Sequence, residues 1–187
     1  MKIVLASQSP RRRSLLELLI SDFSCVNPDV DECLQVGETP AAYVSRLAIM
    51  KASAVDAPGG LILGADTAVT LADEIFGKPA DRQDATRMLS LLSGHSHYVL
   101  TGVAARSDDA IRSCVVSTTV TFAQLSQRDI ASYLDTEEPW DKAGAYGIQG
   151  QGGVFVQRVN GSYSSVVGLP LVETKALIAG FGVGLDR

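Results

Sequence analysis

Apolar and polar positions along the chain switch repeatedly between a period of two and a period near 3.6, and the order of the switches predicts an interleaved α/β protein. A four-residue apolar strand, Ile3 to Ala6, runs into a polar loop. Ser9 followed by Pro10 supplies an N-cap and a first-turn proline, so a helix starts there. Leu15, Leu16, Leu18 and Leu19 are expected to form its buried face. "FSCVN" reads as a short strand that ends in the acidic turn "PDVDE". Thr39 and Pro40 repeat the cap-plus-proline start and open a helix predicted to run to about Val55. Val44, Leu47, Ala48 and Val55 share one face of that helix. Lys51 projects from the same apolar face, and Arg46 lies on the opposite side, where charge is expected.

"LILGADTAVTL" then reads as a strand, "ADE" as a tight turn and "IFGKP" as the returning strand of a hairpin. Asp81 caps the next helix with Asp84 as the second member of a capping box, and Gly94 closes it. "HYVLTGVAAR" and "IRSCVVSTTVTFAQL" flank a turn at Asp108 and Asp109 as two longer strands. A helix capped by Ser126, with Asp129 three residues on, leads into the glycine-rich loop "KAGAYGIQGQGG". A strand "VFVQRV", a turn at Asn160 and Gly161, and a last helix opening at Pro170 complete the pattern. This is a mixed α/β domain, and its longest irregular stretch is the glycine-rich one.

At 187 residues the chain fits one domain, or two closely joined lobes, spanning residues 1–187. The net charge of −5 argues against a broad basic surface for a nucleic acid polymer or an anionic membrane, so any anion site must be local. Three cysteines without a CxxC read as reduced thiols. The opening apolar run is too short for a signal peptide and no later segment could span a bilayer, so a cytoplasmic location is expected.

Arg11, Arg12 and Arg13 fall in the first turn of the first helix, where aligned peptide dipoles disfavour cations by about 0.3–1 kcal/mol each. Free N–H groups at a helix start and arginine forks both suit phosphate; three solvated arginines are the alternative. Asp66 lies within a run of Leu, Ile, Gly and Ala, where a carboxylate is costly unless paired, hydrogen-bonded or metal-bound. Its other reading is a strand-end aspartate bonded to nearby backbone. Lys51 could reach solvent along its stem, whereas Lys78 sits between Gly77 and Pro79, which are expected to hold the backbone in an unusual shape. Asp31 and Glu32 could add a carboxylate to a magnesium site or form a solvated acidic turn.

Other signals are set aside by what surrounds them. The histidines of "HSH" have no further histidine or CxxC partner, so zinc is not indicated. "GIQGQGG" is not GxGxxG and precedes a strand rather than a helix, which argues against a dinucleotide fingerprint. There is no GxxxxGK[ST] P-loop and no GxSxG elbow.

"LASQSPRRRSLL", "RLAIMKA", "GADTAV", "GKP", "KAGAYGIQG" and "VVGLPLVET", in that order and over nearly the whole chain, resemble the motif series of the Maf proteins. The resemblance implies a twisted mixed sheet flanked by helices, in two lobes around a deep cleft, related to the inosine triphosphatase architecture. It implies a nucleoside triphosphate pyrophosphatase that cuts between the α and β phosphates with a divalent cation, Mg²⁺ or Mn²⁺, and a homodimer. Carried over residue by residue, the proton acceptor falls on Asp66, the loop serine on Ser7, the arginines on Arg11 and Arg12, the lysines on Lys51 and Lys78, and an acidic position near the metal on Glu32. Arg13 stands where the pattern often has a polar residue and is left out of the site. Thr67 and "AGAYGIQG" resemble the branch acting on dTTP and UTP, with Arg11, Thr67 and Gln149 at its specificity positions. A 7-methyl-GTP substrate, or a nucleotide-sensing regulator of septum formation, are the other expectations.

Overall fold

The structure is a computed structural model that describes residues 1–72 and 74–184. Asp73, the centre of the predicted "ADE" turn, lies outside the described residues. Among the described residues, seven strands form one sheet in the order β2-β1-β3-β5-β6-β7, with β4 paired to β3. They are β1 Ile3–Ala6, β2 Ser24–Val26, β3 Leu61–Leu71, β4 Glu74–Phe76, β5 Ser96–Arg106, β6 Ile111–Phe122 and β7 Val156–Asn160. β1 runs parallel to both β2 and β3, whereas the β3–β4 and β6–β7 pairs are antiparallel, so the sheet is mixed as expected. The helices are α1 Pro10–Leu16, α2 Pro40–Ser53, α3 Arg82–Leu92, α4 Gln127–Leu134, α5 Tyr163–Val167 and α6 Leu171–Ala179. None of them is long and apolar enough to cross a membrane.

The chain divides into two compact units. The first holds Met1–Thr67, Thr101–Val116 and the segment from Gly168 onward; the second holds Ala68–Leu100 and Ser117–Val167. In the first unit, α2 packs Ala48, Ala52 and Val55 against Val4, Ala6, Ile62 and Ala104 of the sheet. Close approach is possible because two strand positions lack side chains. A Cβ on Gly64 would lie 2.2 Å from the Ala48 carbonyl oxygen, and one on Gly102 would lie 2.3 Å from that of Val44. The acceptors sit one helical turn apart on α2, so the helix lies with its backbone against β3 and β5.

The second unit is built around rings. Phe122 meets His97, Tyr146 and Phe155 edge-on, with centroids 4.9, 4.7 and 6.0 Å away, and Tyr133 packs on Phe155 at 5.0 Å. These edge-to-face contacts match the aromatic quadrupole and add roughly 0.5–1.5 kcal/mol per pair beyond area burial. His97 is fully buried, with Nε2 2.9 Å from the Tyr146 hydroxyl.

Several expectations need correction. α1 ends at Leu16, and Leu18 is 58% exposed because the chain has already left the helix, although Leu19 is buried. α2 stops at Ser53 rather than near Val55. β4 ends at Phe76, leaving Gly77, Lys78 and Pro79 outside the strand, and Gly77 does not adopt a left-handed backbone. Asp84 bonds the Ala80 N–H rather than that of the cap residue Asp81, so the capping box is displaced by one residue, while Ser126 and Asp129 make a complete one. The short helix α5, which the sequence pattern does not predict, starts just after Ser162, whose hydroxyl accepts the Ser165 N–H at 3.2 Å.

Candidate active site

Ser9 caps α1 by accepting the Arg12 N–H at 3.4 Å, and the Ser9 N–H donates to Ser7 Oγ at 3.1 Å. The cap fixes the turn from which the arginines leave. Arg12 then turns inward and Arg13 outward. The Arg12 guanidinium donates from Nε to the Gly168 carbonyl (2.9 Å), from Nη1 to Ser7 Oγ (3.5 Å) and from Nη2 to Thr67 Oγ1 (3.3 Å). Thr67 Oγ1 is also 3.0 Å from Thr101 Oγ1. Gly168 adopts φ +126°, a backbone that side chains disfavour, and so presents its carbonyl to the arginine. Arg13 lies on the surface in an i,i+4 pair with Glu17 at 3.1 Å. Arg11 is half-buried, and its charge, after burial itself, helps to lower the Arg12 pKa.

Lys51 leaves the apolar face of α2, as the helical spacing predicts, and is 6% exposed. Its Nζ lies 2.7 Å from Asp66 Oδ1 and 2.6 Å from Glu32 Oε1. Asp66 is itself 6% exposed on β3. Burial raises its pKa above the usual carboxylate value, against the charges of Lys51 and Arg12, which pull it down. The buried carboxylate is therefore resolved by ion pairing, the first of the alternatives open in the sequence. Asp66 and Glu32 each direct an oxygen at the Lys51 ammonium, which stands where the two converge. Two converging hard oxygen donors are what Mg²⁺ takes from a protein when phosphate supplies further ligands. Among the described residues no group of three or more His, Cys, Asp or Glu is gathered for a metal.

The loop that carries Glu32 is tied to α2 by residues with no periodic or motif signal. Arg46, on the side of α2 where charge is expected, grips Glu38 with two 2.7 Å bonds and the Cys33 carbonyl with a third at 3.0 Å. The paired carboxylate is only 7% exposed, and the arginine is itself partly covered. Tyr43 donates its hydroxyl to the Glu32 carbonyl at 3.0 Å. Burial, followed by the charges of Asp66 and Glu32, pushes that phenol up to about 12. The cysteines Cys25, Cys33 and Cys114 are free thiols.

Lys78 and Gln149 belong to the second unit, and both are exposed. The Gly77 carbonyl beside Lys78 accepts the Gly144 N–H at 3.0 Å, which joins that segment to the start of the glycine-rich loop. In the first unit Ser7, Arg12 and Thr67 form one side-chain set and Lys51, Asp66 and Glu32 a second, and the charge of Arg12 acts on Asp66 between them.

The capped arginine helix and the buried Lys51–Asp66 pair, with the exposed Glu32 closing on the same lysine, lie in one compact unit. The family model described as "Maf-like protein" matches residues 2–181, and the chain belongs to that family. A protein of Shewanella denitrificans named dTTP/UTP pyrophosphatase is 53% identical, with 94% of each chain covered. One of the same name from Photorhabdus laumondii is 54% identical over 98% of this chain and 96% of its own. A solved structure of the Staphylococcus aureus Ham1 protein aligns with a TM-score of 0.44 at 16% identity, covering 65% of this chain and 71% of that one.

Proposed function

We propose that the protein is a nucleoside triphosphate pyrophosphatase that hydrolyses dTTP and UTP to the monophosphate and pyrophosphate. The observation that carries this reading is the Asp66–Lys51–Glu32 set beside Arg12; the names of relatives about half identical over most of their length give it its substrates.

Asp66 holds the attacking water and accepts its proton as the oxygen bonds to the α phosphorus. The bond from that phosphorus to the bridging oxygen breaks, and pyrophosphate leaves with the electron pair. Arg11, Arg12 and Lys51 offset the charge that gathers on the leaving group, and positioning does most of the work because no covalent intermediate is required. A divalent cation, Mg²⁺ or Mn²⁺, held by Asp66 and Glu32 with phosphate oxygens, supplies Lewis-acid polarisation when bound. Ser7 and Thr67 fix the Arg12 fork. Gln149 offers an amide that complements the carbonyls and N–H of a uracil or thymine ring. A cytoplasmic setting, where nucleoside triphosphates are made and thiols stay reduced, suits both substrate and cysteines.

Purified protein incubated with Mn²⁺ and a panel of pyrimidine, purine and methylated purine triphosphates tests the reading. Pyrophosphate release from dTTP and UTP, lowered about 10²–10⁴-fold by Asp66→Asn, is expected. Orthophosphate as product, a higher kcat/KM for 7-methyl-GTP, or binding without turnover would each overturn it.

A further inference from the structure

The glycine-rich loop holds a set of contacts that the proposed reaction does not use. Glu138, half-buried just after α4, accepts the Gln151 N–H on Oε2 at 2.7 Å. Its Oε1 accepts both the Gly152 N–H and the Tyr133 hydroxyl at 3.0 Å. The Tyr133 oxygen in turn accepts the Gly147 N–H at 3.1 Å. Lys142 Nζ donates to the Glu138 backbone carbonyl and to Asp141 Oδ1, both at 2.6 Å.

This arrangement explains glycines that "GIQGQGG" left without a purpose once a dinucleotide fingerprint was set aside. A Cβ on Gly150 would lie 2.1 Å from Glu138 Oε2, one on Gly147 2.8 Å from Oε1, and one on Gly152 2.8 Å from the Tyr133 oxygen. The carboxylate and the phenol fill the space that side chains would need. They anchor the loop at 147 and again at 151–152, leaving Ile148, Gln149 and Gly150 as the bridge between the anchors. Gln149 is exposed on that bridge.

We infer that Glu138 and Tyr133 form a positioning clamp that presets the bridge presenting Gln149 and thereby sets the preference for a pyrimidine base. The inference rests on the reading of Gln149 as a base-recognising residue. A loop this rich in glycine loses much backbone freedom when it is ordered, and that cost falls on substrate binding unless the folded chain has already met it. A fixed amide also distinguishes ring edges that a mobile one accepts alike. Glu138→Gln replaces one accepting oxygen by a donor facing N–H groups and loosens the loop while keeping the side chain's size. Tyr133→Phe removes one hydroxyl and keeps the ring on Phe155.

The experiment measures kcat and KM for dTTP and dATP in the wild type, E138Q, Y133F and Q149A, with amide hydrogen exchange at Gly147, Gln151 and Gly152. E138Q is expected to raise the dTTP KM about tenfold, the loss of one strong hydrogen bond, with kcat within about twofold. Its dTTP-over-dATP preference should fall toward that of Q149A, and exchange at 151 and 152 should quicken. Y133F should move the same quantities less and speed exchange at Gly147; if E138Q does not fold, Y133F decides. Faster exchange with unchanged selectivity, or a fall in kcat at constant KM, overturns the inference. Unchanged selectivity in Q149A removes the reading of Gln149 and the inference with it, whereas altered selectivity in Q149A with none in E138Q and Y133F overturns the clamp alone.

Discussion

Lys51 Nζ and Asp66 Oδ1 are 2.7 Å apart, one group from the buried face of a helix and the other from a strand interior. Each offsets the other's burial, with Glu32 also on Lys51 and the charge of Arg12 also acting on Asp66. Lys51→Met should cost about 3 kcal/mol, because it strands a buried carboxylate. Adding Asp66→Asn to that variant should recover part of the loss. A double-mutant cycle by urea denaturation checks this, and additive effects would count against the pair as a coupled unit. Asp66→Asn alone should lower pyrophosphate release by about 10²–10⁴-fold, the usual contribution of a general base.

The arginine run should divide sharply under mutation. Arg12→Lys keeps the charge but cannot reach Gly168, Ser7 and Thr67 together, so kcat/KM for dTTP should drop by about tenfold or more. Arg13→Ser removes only an exposed pair with Glu17 and should change stability by less than about 0.5 kcal/mol and activity by less than about twofold. Steady-state kinetics on the two variants decides the matter.

His97 should make stability depend on pH. Burial holds its pKa down to about 4, with the His95 backbone opposing weakly, whereas the unfolded chain titrates near the ordinary value of about 6.5. Above about pH 6.5 the ring is neutral in both states and its effect is constant. Between about pH 6.5 and 4 the unfolded chain gains a proton that the folded chain refuses, so stability falls with pH by up to about 3 kcal/mol. His97→Phe should flatten that part of the profile. Urea midpoints from pH 8 to 4.5 for both proteins check it, and parallel profiles would contradict it.

Gly64→Ala should destabilise the chain by about 3 kcal/mol, since the new methyl meets helix backbone rather than a flexible side chain. It should reduce activity more than that loss predicts, because the helix pushed away carries Lys51. Gly77→Ala, with nothing within 4 Å of the new methyl, should be close to neutral. Thermal melts and dTTP hydrolysis on the two variants provide the comparison.

The local grammar of the chain exposed much of this fold. Cap-plus-proline pairs placed α1 and α2, the helical period put Lys51 on the buried side, and an aspartate in an apolar strand pointed to a partner. These signals are short-range, and their physics is complete within a few residues. Arg46 stands on the charged side of α2 as its spacing predicts, but its partner Glu38 lies off the helix, where periodicity has no reach. Tyr43 and Glu138 act through backbone groups of other segments, and a backbone acceptor or donor leaves no mark in a sequence. The extent of α1 was overestimated for a related reason: Leu18 continued the apolar pattern although nothing in the fold covers it.

The contact of α2 with Gly64 and Gly102 bears on how the substrate range of such a protein can change. Helix backbone against strand backbone leaves no slack, so the cation that α2 carries cannot be shifted by small adjustments elsewhere. Retargeting the protein to another nucleobase must therefore proceed through its loops, with the reacting end of the molecule left as a constant.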